Sequence, residues 1–495
     1  MKVQVTAKAP EAAASRLFAM LDPDPQGRPL ALKKSLEQHP AWSDLQRRRK
    51  SGELPGAYLA AGRTPLLYLP PGSARHWQGP ERVRIQAAKA YEQAEARQAG
   101  ELVVLLDAQA GAAAAPAAAE GLALRAYRFD KYKKRDKKAA PKVTFVVPAK
   151  GLAGTRRAVQ ERLRRVASVN GARDLVNEPG SVATPAEIER RARALARRAG
   201  LKITVLQQKE LERQGYRGLI TVGKAAMVAP RMIVLSYRPG GGTSAGRAGP
   251  VKAGPHLGLL GKGITFDTGG ISLKPSSKMW QMKGDMAGAA ATLYAMEAIA
   301  AAKPARPVTG VIVTAQNAID AKATLPGDVF KAKNGKTVHV DNTDAEGRLI
   351  LTDGLWRMGE EKVTHLVDVA TLTGSCMRAL GTAVSGVMGN DAFADDVVEV
   401  SQAEGEPCWR LPLVEEYTEL LKNEVADLNN IGSTPNAGAI TAGLFLREFV
   451  PDGVHWAHVD IAGTFLAEQA WKYYRPGATG VMVRTLAALA SRLAG

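Results

Sequence analysis

Apolar positions recur along this chain with two different spacings, and the order of those spacings predicts its elements. Up to about residue 150, short apolar runs at 68–70, 102–106 and 143–147 read as strands, while the Ala/Arg-rich stretch 82–99 has helical spacing. That alternation predicts a smaller N-terminal α/β domain over residues 1–150. An arginine-rich helical segment runs from 152 to 177 and is stopped by Pro179-Gly180, so residues 151–178 read as a connecting helix. Residues 179–495 then form a second, larger α/β domain. In it, Thr184 is an N-cap with Pro185 in the first helical position and Glu187 three residues on, which predicts a helix over 186–198. Strands follow at 232–237 and 257–260, separated by a Gly/Ser-rich excursion at 239–250, and a helix is predicted over 287–302.

Composition narrows the class. A chain of 495 residues buries ample core and is too long for one ordinary domain. No apolar segment reaches about 18 residues, since the Ala-rich run ends at Glu297, so a membrane span is not expected. The first ten residues hold no apolar core of secretory type, and two cysteines, Cys376 and Cys408, argue against a disulfide framework. A cytoplasmic protein is the expectation. The charge is lopsided: residues 1–200 carry 37 Lys+Arg against 19 Asp+Glu, and the remainder 30 against 29. Arg47-Arg48-Arg49-Lys50 and the stretch 131–138, with Tyr132 inside it, are the densest basic patches. A solvated face explains them; nucleic-acid contact is the alternative, although no zinc finger, helix-turn-helix or aromatic RNA-binding signature accompanies the charge.

The candidate chemistry lies in the second domain. A β-like run enters the polar turn Asp341-Asn342-Thr343-Asp344-Ala345-Glu346, and a helix-like run with Arg348 in its first turn leaves it. Upstream, the strand at 257–260 feeds Gly261-Lys262-Gly263, Asp267, Gly269-Gly270 and Lys274. A dinucleotide fingerprint would need glycine where Phe266 stands, and a phosphate-binding loop would need glycine at His256, so both fail. Asp285 stands before the helix at 287–302, where a plain N-cap is the simpler reading. A calcium loop through Asn342, Asp344, Glu346 and Asp353 lacks Asp at its first position and Glu at its last.

Charge counting favours a metal pair. Asp267, Asp285, Asp344 and Glu346 together match two divalent cations, and so many carboxylates in one place repel one another strongly without them. A lysine among them has two possible uses, as a neutral ligand or as a charged group holding a polarised oxygen. His455 and His458 have near-ligand spacing but lie on a strand-like run, where a structural role is commoner.

These motifs carry a resemblance. Asn342-Thr343-Asp344-Ala345-Glu346-Gly347-Arg348-Leu349 resembles the signature of the leucyl (cytosol) aminopeptidase family, and the segments 261–274, 282–286, 370–374, 439–442 and 456–463 match it in order. The similarity covers roughly residues 173–486, and the N-terminal part carries little of it. The resemblance implies a C-terminal catalytic domain with a central mixed sheet, and a metal-dependent exopeptidase that removes one N-terminal residue at a time from peptides, with a metal-bridging water or hydroxide as nucleophile. It implies two divalent metal ions per subunit, zinc or manganese, with magnesium and cobalt as alternatives. Lys262, Asp267, Asp285, Asp344 and Glu346 match the metal ligands, with Asp267 and Glu346 shared by both ions. Lys274 and Arg348 match the catalytic pair, the first on the scissile carbonyl oxygen and the second holding a bicarbonate that acts as general base. Met282, Thr371, Gly374, Ala462 and Phe465 match the wall of the first side-chain pocket. A homo-hexamer built as a dimer of trimers is also implied. Two departures stand out: Thr352 to Arg357 replaces an Ala-rich run, and Phe465 lies where smaller or more flexible side chains are usual.

Overall fold

The computed structural model describes residues 1–7, 16–21, 43–44, 47, 58–60, 66–69, 79–106, 111–134, 140–240, 254–390 and 392–495. Residues 241–250 of the excursion at 239–250, and residues 48–50 and 135–138 of the two basic patches, lie outside the described residues. The chain divides into two compact units, Met1–Ala167 with Glu468–Pro476, and Ser168–Ala467 with Gly477–Gly495.

In the first unit, β1 (Val3–Thr6), β2 (Arg16–Leu21), β3 (Tyr58–Ala60), β4 (Leu66–Leu69), β5 (Glu101–Leu106) and β6 (Lys142–Val146) form a sheet in the order β1-β6-β5-β2-β4-β3. All pairings are parallel except that of the edge strand β3. Every residue of β5 is buried, as its unbroken apolar run requires of a strand inside a parallel sheet. Helices α1 (Gly79–Ala96) and α2 (Gly111–Ala126) pack with it. The alternation of periods foresaw β4, β5, β6 and α1; it missed α2, whose Pro116 reads as a helix breaker but falls in the second turn of an alanine-rich stretch. Helix α3 (Leu152–Asn177) carries the chain onward.

The second unit begins with α4 (Pro185–Ala199), where the Thr184 hydroxyl accepts from the Glu187 amide at 3.3 Å. Two short helices, α5 (Gln208–Gln214) and α6 (Arg217–Gly223), follow the strand β7 (Lys202–Leu206). With β8 (Arg231–Tyr237), β9 (Leu257–Asp267), β10 (Val308–Asn317), β13 (His365–Ala370), β14 (Ser385–Gly389), β15 (Cys408–Arg410) and β17 (His455–Asp460), β7 forms a mixed sheet in the order β15-β14-β17-β13-β9-β10-β8-β7. A smaller sheet joins β11 (Val329–Lys331), β12 (Thr337–His339) and β16 (Leu428–Asn429). Helices α7 (Ala287–Ala302), α8 (Glu346–Glu360) and α9 (Gly374–Leu380) complete the elements that bear on the site.

Strand β9 is longer than its sequence suggested. It continues through Gly261 and Gly263 to Asp267, so those glycines belong to the strand rather than to a loop. They are there because α7 crosses β9 almost in contact: a Cβ on Gly261 would lie 2.5 Å from the Gly288 carbonyl oxygen, and one on Gly288 would lie 2.0 Å from that of Val369. The alanine run of α7 follows from the same constraint, since the helix is buried nearly all round.

The Gly288→Ala substitution is therefore expected to force helix and sheet apart, costing at least about 1–3 kcal/mol as overpacking does. Gly154→Ala, at a helical position with open space around it, should be neutral or stabilising by up to about 1 kcal/mol. Urea midpoints of the two variants check the contrast, and equal midpoints would contradict the packing described.

Candidate metal centre

Three parallel neighbours, β13, β9 and β10, end side by side, and their carboxyl ends deliver the candidate residues. This edge is where open α/β sheets bind ligands. Asp267 closes β9, Asn317 closes β10, and Thr371 follows β13. Lys262 comes from the middle of β9, not from its tip, and its side chain is buried. Gly347 makes room for it: a Cβ there would lie 2.7 Å from Lys262 Nζ. Asp285 lies between a 3₁₀ turn (Met279–Gly284) and α7, and Met286 occupies the N-cap position, so Asp285 is not the plain cap that its place in the sequence suggested.

The four carboxylates meet around two lysine amines. Lys262 Nζ lies 2.8 Å from Asp285 Oδ1 and 2.9 Å from Glu346 Oε1, and it donates to the Thr371 carbonyl at 2.7 Å. Lys274 Nζ lies 2.8 Å from Asp267 Oδ2 and also pairs with Asp344 Oδ1. Asp267, Asp344 and Glu346 each offer an oxygen within 4.8 Å of the others. Asp267 Oδ1 is fixed by the Asn317 amide at 2.8 Å and the Gly269 N–H at 2.9 Å. Asp285 Oδ2 is buried with no hydrogen-bond partner among the described residues, a costly condition for a carboxylate oxygen unless a cation meets it. Arg348, in the first turn of α8, donates through Nη1 to the Asn430 carbonyl at 2.8 Å, and its buried Nε has no partner among the described residues.

Electrostatics point the same way. Burial, and then the charge of Glu346, push Asp267 up to about 7, although Lys274 and Lys262 pull it down. Burial raises Asp285 well above the usual carboxylate range. Burial opposes the charge on Lys262, yet Asp285, Glu346 and Asp267 together hold it protonated, and Lys274 is held likewise by Asp267 and Glu346. Burial lowers Arg348 to about 10. Two ammonium groups thus fall short of neutralising four acids, three of them buried and Asp344 half-buried, and a donor set of hard oxygens with one amine suits small divalent cations.

A calcium loop is excluded because α8 begins at Glu346 and Asp353 lies within it, accepting from the Leu219 amide at 2.7 Å. The histidine pair is structural: His458 is fully buried with Nδ1 2.5 Å from Asp368 Oδ1, whereas His455 is exposed, its ring tilted against that of His365 with centroids 4.6 Å apart. Met282, Thr371, Gly374, Ala462 and Phe465 lie on three segments that touch one another. Phe465 packs on Gly284, where a Cβ would sit 2.3 Å from its ring; Thr371 Oγ1 donates to Asp285 Oδ1 at 2.6 Å; and Ala462 N donates to Asp460 Oδ1 at 3.0 Å. Sequence reasoning missed Asp460 and Asn430. Asn430 accepts on Oδ1 from the amides of Asp341 and Asn342 and donates to the Asn342 carbonyl, which locks the acidic turn. No local pattern marks Asn430; Asp460 ends an apolar run that a reading for buried polar residues at strand ends would have flagged.

Comparisons with known proteins agree with this arrangement. Residues 170–487 match the model for the catalytic domain of the cytosol aminopeptidase family, and residues 72–136 match the model for its N-terminal domain. A curated relative from Geobacter sulfurreducens, "Probable cytosol aminopeptidase", is 46% identical over 373 residues, covering 74% of this chain and 73% of its own. One of the same name from Alkaliphilus metalliredigens is 42% identical over 385 residues, covering 76% and 74%. Among solved structures, the bottromycin maturation enzyme BotP in complex with Mn aligns with TM-score 0.81 at 32% identity over 98% of this chain and 100% of that one. A tomato leucine aminopeptidase mutant aligns with TM-score 0.83 at 28% identity, covering 99% and 96%. Among the described residues no helix is long and apolar enough to cross a membrane. The chain belongs to the cytosol aminopeptidase family, with its N-terminal and catalytic domains, and is a metallo-exopeptidase that removes N-terminal residues from peptides.

Proposed function

We propose that Lys262, Asp267, Asp285, Asp344 and Glu346 hold two divalent cations, zinc or manganese first and magnesium or cobalt as alternatives. The carrying observation is the pair of ammonium groups, each held between two of the four clustered carboxylates. They trace two places where positive charge is demanded, one among Lys262, Asp285 and Glu346, the other among Asp267, Asp344 and Glu346. When bound, the cations would supply Lewis-acid polarisation of the peptide carbonyl and a water acidic enough to attack at neutral pH.

The remaining work falls to the chain's own groups. Lys262 loses its proton to serve as a ligand. Lys274, a fifth exposed and paired with Asp267 and Asp344, keeps its proton and meets the negative charge that grows on the carbonyl oxygen. Arg348, oriented by Asn430 with Nε unpaired among the described residues, would hold an anion such as bicarbonate, which would supply a general base. Met282, Thr371, Gly374, Ala462 and Phe465 enclose the first side chain, with Phe465 narrowing the space. A homo-hexamer working in the cytoplasm completes the proposal; its support is the family resemblance.

The purified protein should release the first amino acid from an unblocked dipeptide, lose that activity with a chelator and regain it with manganese. An N-acetylated dipeptide should be left intact. Activity that survives exhaustive chelation would overturn the reading.

The two lysines should fail differently when truncated. Lys262→Ala should lose metal and recover part of its rate in excess metal ion. Lys274→Ala should keep its metal and lose on the order of 10²–10³ in turnover, with little change in substrate binding. Metal content and kcat measured together check this; the reverse pattern of rescue would exchange the two roles.

A further inference from the structure

Thr371 touches two of the groups assigned above to one cation. Its hydroxyl donates to Asp285 Oδ1 at 2.6 Å, and its carbonyl accepts from Lys262 Nζ at 2.7 Å. The first contact fixes the rotation of the carboxylate and engages Oδ1, while Oδ2 is left buried without a partner. The second directs one amine hydrogen at the Thr371 carbonyl, so the remaining directions of Nζ are set as well. Wall residues of a side-chain pocket need neither contact.

The turn that carries Thr371 is itself pinned by a single carboxylate. Asp460, fully buried at the end of β17, stands in register with Ala370 at the end of β13. Its Oδ1 accepts from the amides of Leu372 at 3.1 Å and Ala462 at 3.0 Å. Its Oδ2 accepts from the amide of Thr373 at 3.0 Å and from that residue's hydroxyl at 2.7 Å. Four donors on one carboxylate leave residues 371–373 little freedom. Asp460 reaches the ligands only through that turn.

We infer that Thr371, held in place by Asp460, is the positioning residue for the cation place that contains Lys262 and Asp285, and that it sets the affinity of that place alone. The inference rests on the two-cation reading above. Among the described residues Thr371 makes no hydrogen bond to Asp267 or Asp344: the Asp267 carboxylate is met by Lys274, Asn317 and the Gly269 amide, and the Asp344 carboxylate by Lys274. Groups that orient a ligand in this way typically change metal affinity by about 10–100-fold when removed.

Calorimetric titration of the metal-free, full-length protein with Mn²⁺ tests it. The wild type should take up two equivalents. Thr371→Val keeps the shape and removes the hydroxyl; it should weaken one equivalent by about 10–100-fold and leave the other unchanged. Thr371→Ser keeps the hydroxyl and removes the methyl, and it should match the wild type. Asp460→Asn sets an amide against donors that now meet a carboxylate, and it should weaken the same single equivalent; it carries the comparison if the valine variant does not fold. Unchanged affinities in both Thr371→Val and Asp460→Asn, equal weakening of both equivalents with native circular dichroism, or a serine variant as weak as valine would each overturn the inference. A wild type that binds fewer than two equivalents would bring down the two-cation reading and this inference with it.

Discussion

Four carboxylates gathered within reach of one another, three of them buried, are the constraint on which the second unit depends. Like charges at such separations, away from water, raise one another's proton affinity and push the surrounding backbone apart unless positive charge intervenes. In this chain Lys262 and Lys274 intervene, and each needs structural provision. Lys262 rises from the middle of a buried strand, reachable only because Gly347 leaves the first turn of α8 bare. Lys274 needs the loop beyond Asp267 to fold back, which the hydrogen bond from its amide to the Thr268 carbonyl at 2.9 Å secures.

The same constraint accounts for features remote from the acids. Strand β9 must deliver both Lys262 and Asp267 from one edge of the sheet, so it runs eleven residues, and α7 presses on it through paired glycines. The loops after β13 and β17 must hold still, so Asp460 spends a whole carboxylate on their backbone. The acidic turn must keep its shape, so Asn430 reaches it from a segment some 88 residues further along the chain.

What the sequence revealed and what it concealed divide along the range of the forces involved. Caps, strand runs and the spacing of Asp344, Glu346 and Arg348 are local, and they were legible. The end of β9 was misread because glycine is ambiguous: it marks a loop when its backbone is free and a close crossing when a helix lies on it, and only the position of α7 decides. Asp285 looked like a helix cap because its two partners, Lys262 and Thr371, stand 23 and 86 residues away. In the first unit, Lys472 pairs with Glu81 at 2.9 Å and Glu81 with Arg84 at 3.2 Å; no local pattern announces that a segment so late in the chain belongs there. The basic excess of the first two-fifths identifies no partner, because charge without a shaped site is not specific.

The central claim is that the two ammonium groups occupy the neighbourhoods in which cations belong. Crystals grown with Mn²⁺ and measured near its absorption edge test this most directly. The account predicts two anomalous peaks per chain, about 3.5–4 Å apart as in two-metal sites, one contacted by Lys262 Nζ and Asp285 Oδ2 and the other by Asp344, with Asp267 and Glu346 touching both. A single peak, or ions bound away from these five side chains, would contradict it.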